Sequence, residues 1–137
     1  MNFKKGRTFM LRVPEDEDLL GFINQFAEKN EIKTGILQAI GSLKNAKIGY
    51  YSIELGRYEE IEIKGVHELL MAAGNISLMD GEPFAHVHVI LGDEKGNVRG
   101  GHLIKGRVFV AELYIEELAG GNLERVPQGN LSLWRLE

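Results

Sequence analysis

The run Pro83-Phe84-Ala85-His86-Val87-His88-Val89-Ile90-Leu91 limits what this chain can fold into more than any other stretch. Strand side chains alternate between faces. Ala85, Val87, Val89 and Leu91 therefore share one face, and His86 and His88 share the other. The first is a core face; the second is where chemistry can sit. Asp93-Glu94-Lys95-Gly96-Asn97 follows, then Gly100-Gly101-His102-Leu103, so three of the four histidines fall within one short span.

Whether His102 joins the other two depends on the turn. A three-residue hairpin loop wants glycine at its last, left-handed position. Glu94-Lys95-Gly96 meets that demand, closed by Asp93 and Asn97. This register sets Leu91 against Arg99, Val89 against Gly101 and His88 against His102, with directly opposed Cβ atoms about 4.5–5.5 Å apart. A four-residue loop over 93–96 would put His102 on the opposite face, because a slip of one residue flips every side chain. The glycine position favours the shorter loop.

His86, His88 and His102, converging from two adjacent strands, make a candidate metal site. Zinc is the first expectation: its catalytic sites use three protein ligands and keep a fourth position open. Nickel, copper and iron also accept imidazole. The alternative is a set of ordinary strand histidines lining a surface or a subunit contact. No Cys-x-x-Cys or fourth clustered ligand is visible, which weighs against a closed structural site. An enzyme built on such a centre needs a general base, for which Glu82 and then Glu112 are the candidates. His67 stands apart and reads as a surface or core histidine.

The remaining chain reads as strands around one helix. Residues 7–13 form a strand ended by Pro14. Glu15-Asp16-Glu17-Asp18 then opens a helix to about Asn30, its acids placed at the positive end of the helix dipole. Leu19, Leu20, Ile23, Phe26 and Ala27 supply its apolar stripe. Residues 34–40 form a second strand, broken by Gly41-Ser42, which reads as a tight turn rather than a phosphate loop. Strand, helix, strand predicts a crossover with the two strands as parallel neighbours. Residues 47–55 and 58–64 read as strands joined at Gly56-Arg57, and 68–79 as a long strand bulged near Gly74-Asn75. Lys105-Gly106 reads as a connection into a strand over 107–115. Phe109, Ala111, Leu113 and Ile115 alternate there with Val108 and Val110, and two apolar faces predict a central strand or a subunit contact. The tail ends in a strand-like alternation over 131–136. The sum is an α+β fold, a mainly antiparallel β-sheet with one principal amphipathic helix at residues 15–30, in a single domain over residues 1–137.

Charge bounds the partners. The chain carries 16 Lys and Arg against 20 Asp and Glu, net −4, with the basic residues dispersed. That balance predicts weak DNA binding at most. No apolar run reaches membrane-spanning length and no signal-peptide pattern is present, so no membrane partner is expected and the cytoplasm is the default location. Cysteine is absent, which removes disulfides and thiolate chemistry.

Several motifs together resemble the PPC domain, the plant and prokaryote conserved domain. They are Gly6-Arg7-Thr8-Phe9 with Leu11-Arg12, Gly41-Ser42-Leu43, Glu68-Leu69-Leu70 with Gly74-Asn75-Ile76, Gly81-Glu82-Pro83, His86-x-His88 and Gly100-Gly101-His102-Leu103. The likeness spans nearly the whole chain. It implies a mainly antiparallel sheet with few helices, a homotrimer, and kinship with plant proteins in which the domain follows a DNA-binding AT-hook. Prokaryotic members are commonly described as candidate DNA-binding proteins, and many carry the histidine triple matched here. No Arg-Gly-Arg-Pro occurs in these 137 residues. Gly56-Arg57-Tyr58-Glu59-Glu60-Ile61 is only superficially similar to the contact motif of the plant members. The resemblance therefore implies a DNA-associated or regulatory homotrimer with a three-histidine metal site and room for a small-molecule ligand, and the alternative is a metal-dependent enzyme acting on a small-molecule substrate.

Overall fold

The computed structural model describes residues 1–136. Its organising hairpin joins β5 (Glu82–Gly92) to β6 (Val98–Ala119). Gly96 takes φ +80°, the left-handed conformation that the three-residue loop demands. The Asp93 amide donates to the Asn97 carbonyl at 2.9 Å, and Asp93 Oδ1 accepts from the amides of Lys95 and Asn97 at 2.8 and 2.9 Å. The side chain thus holds the turn that sets the register. Leu91 faces Arg99, Val89 faces Gly101 and His88 faces His102, as the glycine position predicts.

The other elements are β1 (Lys4–Val13), α1 (Leu19–Lys29), β2 (Gly35–Ser52), β3 (Arg57–Ile63), β4 (His67–Met79), β7 (Glu124–Gln128) and β8 (Leu131–Trp134). One helix against a mainly antiparallel sheet is the α+β arrangement expected. β2 pairs with β6, β6 with β5, β5 with β4, and β4 with β2, all antiparallel, so four strands close on themselves. Inward residues such as Leu37, Leu69, Val87, Leu91, Leu103 and Leu113 are almost wholly excluded from solvent. Leu19, Ile23 and Ala27 of α1 join the same cluster. Ala85, Val87, Val89 and Leu91 are buried, so the histidine face of β5 is the outer one.

Five local expectations are corrected. The helix begins at Leu19, not Glu15: Asp18 is its N-cap, and its Oδ2 accepts from the Gly21 amide at 2.8 Å. The preceding acids are held by β6 instead, through Asp16 N to Val108 O at 2.7 Å and Val108 N to Glu17 O at 2.9 Å. β1 and β2 are parallel but not neighbours, because β6 lies between them and pairs antiparallel with both. Gly41-Ser42 does not end β2, which absorbs a register shift between Ala39 and Gly41 and runs on to Ser52. Lys105-Gly106 is likewise interior to β6. A second register shift, between the Ser42–Val110 and Leu43–Val108 pairs, changes which side chains face inward. Val108 is buried and Phe109 and Val110 are exposed, where simple alternation predicts Phe109 inside. Both long strands bend and continue because each supplies the other's ladder.

Gly74 of β4 faces Val87, and a Cβ there would lie 2.0 Å from the carbonyl oxygen of His86. No rotamer relieves a clash with backbone. Gly74→Ala should therefore destabilise the fold by about 1–3 kcal/mol, the usual range for overpacking, read from the urea midpoint.

Candidate metal centre

His86 and His88 project from the outer face of β5. His102 reaches them from β6 at the residue where two ladders overlap: it pairs with His88 on one side and with Gly49 of β2 on the other. The ring centroids lie 4.9 Å (His86–His88), 5.3 Å (His86–His102) and 5.8 Å (His88–His102) apart. One nitrogen from each ring falls within 4.8 Å of the others. Three nitrogens on a tetrahedral metal, each at about 2.0–2.1 Å, stand about 3.3 Å apart, so small side-chain rotations close the set.

Two features fit a metal to these residues. His102 Nδ1 is buried with no hydrogen-bond partner, an arrangement that costs free energy unless something else occupies the nitrogen. Burial also disfavours the charged form of His86 and His102, and the neutral form is the one that ligates. Burial, then the charges of Arg125, His88 and His102, push His86 down to about 4. Burial first and His88 second lower His102. Among the described residues no carboxylate or further imidazole joins the cluster, which leaves a fourth position open.

Two of the rings, His86 and His102, line a cavity of about 230 Å³ bordered by the β7–β8 hairpin, together with Tyr58, Phe84, Arg125 and Leu131 among others. The Tyr58 ring lies 4.9 Å from the ring of His102. Neither Glu82 nor Glu112 lines this cavity. Glu82 is exposed at the start of β5, and Glu112 borders a separate depression beside Met10 and Ile40. His67 sits outside the cluster, its Nδ1 3.1 Å from the Gly65 carbonyl oxygen.

The sequence profile of the Plants and Prokaryotes Conserved (PCC) domain matches residues 1–119. The chain belongs to this family. Among solved structures, a plant- and prokaryote-conserved (PPC) protein from Pyrococcus horikoshii is 50% identical, with TM-score 0.96, over 99% of this chain and 96% of that one. A protein from Archaeoglobus fulgidus described as metal-containing is 38% identical, with TM-score 0.92, over 98% of this chain and 97% of that one. A Bacteroides thetaiotaomicron protein described as a candidate DNA-binding protein shares the fold at 17% identity, with TM-score 0.87, over 97% of this chain and 96% of that one. No match was found among curated protein sequences.

Several residues around the PPC histidines escape sequence reasoning. Asn24 of α1 accepts from the Ala85 amide at 2.8 Å and so fixes β5 where β6 has turned away from it. Ser77 is fully buried on β4 and accepts from Arg125 Nε at 3.1 Å and Trp134 Nε1 at 3.0 Å. A polar residue between Ile76 and Leu78 is the one sequence signal for that anchor. Nothing local in 122–136 marks Arg125 as a neighbour of His86.

The pH dependence follows from the depressed histidines. Between about 4 and the unfolded value near 6.5, the unfolded chain binds more protons at His86 than the folded chain does. Stability is therefore full above 6.5 and falls as pH drops through this window. In metal-stripped protein the His86 ring should titrate with a midpoint near 4 by NMR, well below an ordinary histidine, and the melting temperature should decline from pH 6.5 to pH 4.

Proposed function

We propose that His86, His88 and His102 bind one divalent transition metal per chain, zinc foremost, and that the open position serves a small-molecule ligand in the adjoining cavity. The observation that carries this reading is the convergence of three imidazole nitrogens within 4.8 Å of one another. The metal-containing Archaeoglobus relative, at 38% identity, supports it. A bound divalent metal supplies a Lewis acid for an oxygen of the ligand. The chain's own part is to bring the three rings together, to disfavour the charged form of His86 and His102 by burial, and to wall the ligand with Tyr58 and Phe84. Among the described residues the cavity lacks a carboxylate base, so ligand recognition is better supported than hydrolysis.

The assembly we propose is a homotrimer. Met10 (82% exposed), Ile40 (53%) and Met71 (39%) gather around one outer depression, with Tyr114 beside them. This apolar face runs into the metal centre: Met10 faces Tyr114, Tyr114 faces Gln38, Gln38 faces Ala73 and Ala73 faces His88. An apolar outer face of this kind is an interaction surface more often than a solvated one, and a closed symmetric assembly is the usual way to cover it.

A second reading, DNA association, draws on fold relatives such as the Bacteroides protein, and on this chain it is weak. Arg7, Lys44, Lys47, Arg57 and Arg107 all pair with acids, which reduces the positive field available to phosphate.

Isothermal titration of zinc into metal-stripped protein should give one site per chain. His88→Ala should lose most of the affinity and His67→Ala none. Equal affinity in wild type and His88→Ala would end the metal reading. Binding should weaken as pH falls below about 6.5, because protons then compete for the ligand nitrogens. Light scattering at micromolar concentration should give three chains per particle; a monomer would refute the assembly. Any DNA binding should be lost between low and physiological salt.

A further inference from the structure

We propose that the cavity between the histidines and the β7–β8 hairpin is a subsite for a small monocarboxylate, with Arg125 as its anion-binding residue. This inference rests on the proposed metal centre for the identity of one end of the subsite, and on Arg125 alone for the other.

Arg125 has five N–H donors. Three are engaged, each by a neutral acceptor: Nε with Ser77 Oγ at 3.1 Å, Nη1 with the Ser132 carbonyl at 3.2 Å and Nη2 with Asn75 Oδ1 at 3.0 Å. Its guanidinium also lies over two rings, 5.6 Å from Phe84 and 5.1 Å from Trp134. These contacts fix its plane but leave its charge unanswered, since among the described residues no carboxylate pairs with it. The arginines that do meet an acid, Arg7, Arg57 and Arg107, are exposed. A part-buried arginine without a counter-ion, its orientation already held, is suited to a planar oxyanion and loses little entropy on binding one.

The walls indicate which oxyanion. The guanidinium of Arg125, its plane set by three hydrogen bonds and two rings, offers the fork geometry that a carboxylate matches. Phe84, Leu131 and Leu133 give it an apolar side. Its volume of about 230 Å³ equals roughly eight waters at about 30 Å³ each, which suits an acid of a few carbons.

The test is titration with butyrate, at constant ionic strength, of zinc-loaded and metal-stripped protein. Isothermal titration gives affinity, and the fluorescence of Trp134, the single tryptophan, gives location. Butyrate should bind one site per chain and change the Trp134 emission in both forms, more tightly in the zinc form. Arg125→Gln should weaken binding at least tenfold, and Arg125→Lys, which keeps the charge but loses the fork, should fall between. Because Arg125→Gln also loosens the hairpin, the wild-type Arg125 Nε–Hε NMR resonance supplies a second reading, and it should shift on adding butyrate. Butyrate affinity unchanged in Arg125→Gln, or an unmoved resonance at saturating butyrate, would overturn the subsite while leaving zinc binding intact. Failure of zinc to bind, with butyrate still dependent on Arg125, would overturn the metal centre and leave the arginine end standing. Tighter binding of inorganic phosphate than of butyrate would overturn the assignment to carboxylates.

Discussion

The antiparallel closure of β2, β6, β5 and β4 is the constraint on which the rest depends. β6 makes it possible by serving two partners in turn, β5 up to His102 and β2 from His102 onward. Each inward side chain gains burial on every side from that closure, and each strand gains a second ladder. The outer face then becomes the place where polar and reactive side chains collect. His102 lies at the hand-over point, which is why its ring is brought in from a second strand and why its Nδ1 is buried without a partner. A sheet that stayed open would leave the three histidines as exposed strand residues.

Electrostatics around the centre are set by what is absent as much as by what is present. Burial lowers His86 and His102, and the like charge of Arg125 adds to the effect at His86. A carboxylate near the rings would reverse that trend by favouring the imidazolium. None is brought there among the described residues, so the cavity combines imidazoles whose charged form burial disfavours with one unanswered guanidinium. Trp134 and Phe84 flank that guanidinium, and Ser77 anchors both Arg125 and Trp134. The terminal hairpin is thus tied to β4 by the same hydrogen bonds that aim the cation.

Asp18 has a comparable double role away from the site. Its Oδ2 caps α1, while its Oδ1 accepts from the Gly106 amide at 2.7 Å. The start of the helix is therefore bonded to the middle of β6, where the strand bends. Asn24, two turns on, reaches the Ala85 amide on β5. The helix serves as a brace across the two strands that carry the histidines, and its apolar stripe supplies the burial that keeps the brace in place.

The sequence by itself determined the elements whose cause is local. Two-residue alternation put Ala85, Val87, Val89 and Leu91 inside and the histidines outside. Gly96 required one loop length, and that loop length required His88 to face His102. Apolar residues at helical spacing placed the stripe of α1. Only the tertiary structure decided what depends on distant partners. Whether an acid at residue 16 or 17 is helical depended on β6 offering its amide and carbonyl at Val108, which holds Asp16 and Glu17 outside the helix. Whether Gly41-Ser42 and Lys105-Gly106 end their strands depended on each long strand having the other to pair with. The inward face of 107–115 depended on a register shift that alternation cannot foresee. Arg125 came to the histidines because β7 runs parallel to the end of β4, a pairing between residues nearly fifty positions apart in which Met79 faces Arg125. No local pattern encodes a contact of that range, because its energy comes from burial and hydrogen bonds that exist only once the sheet has closed.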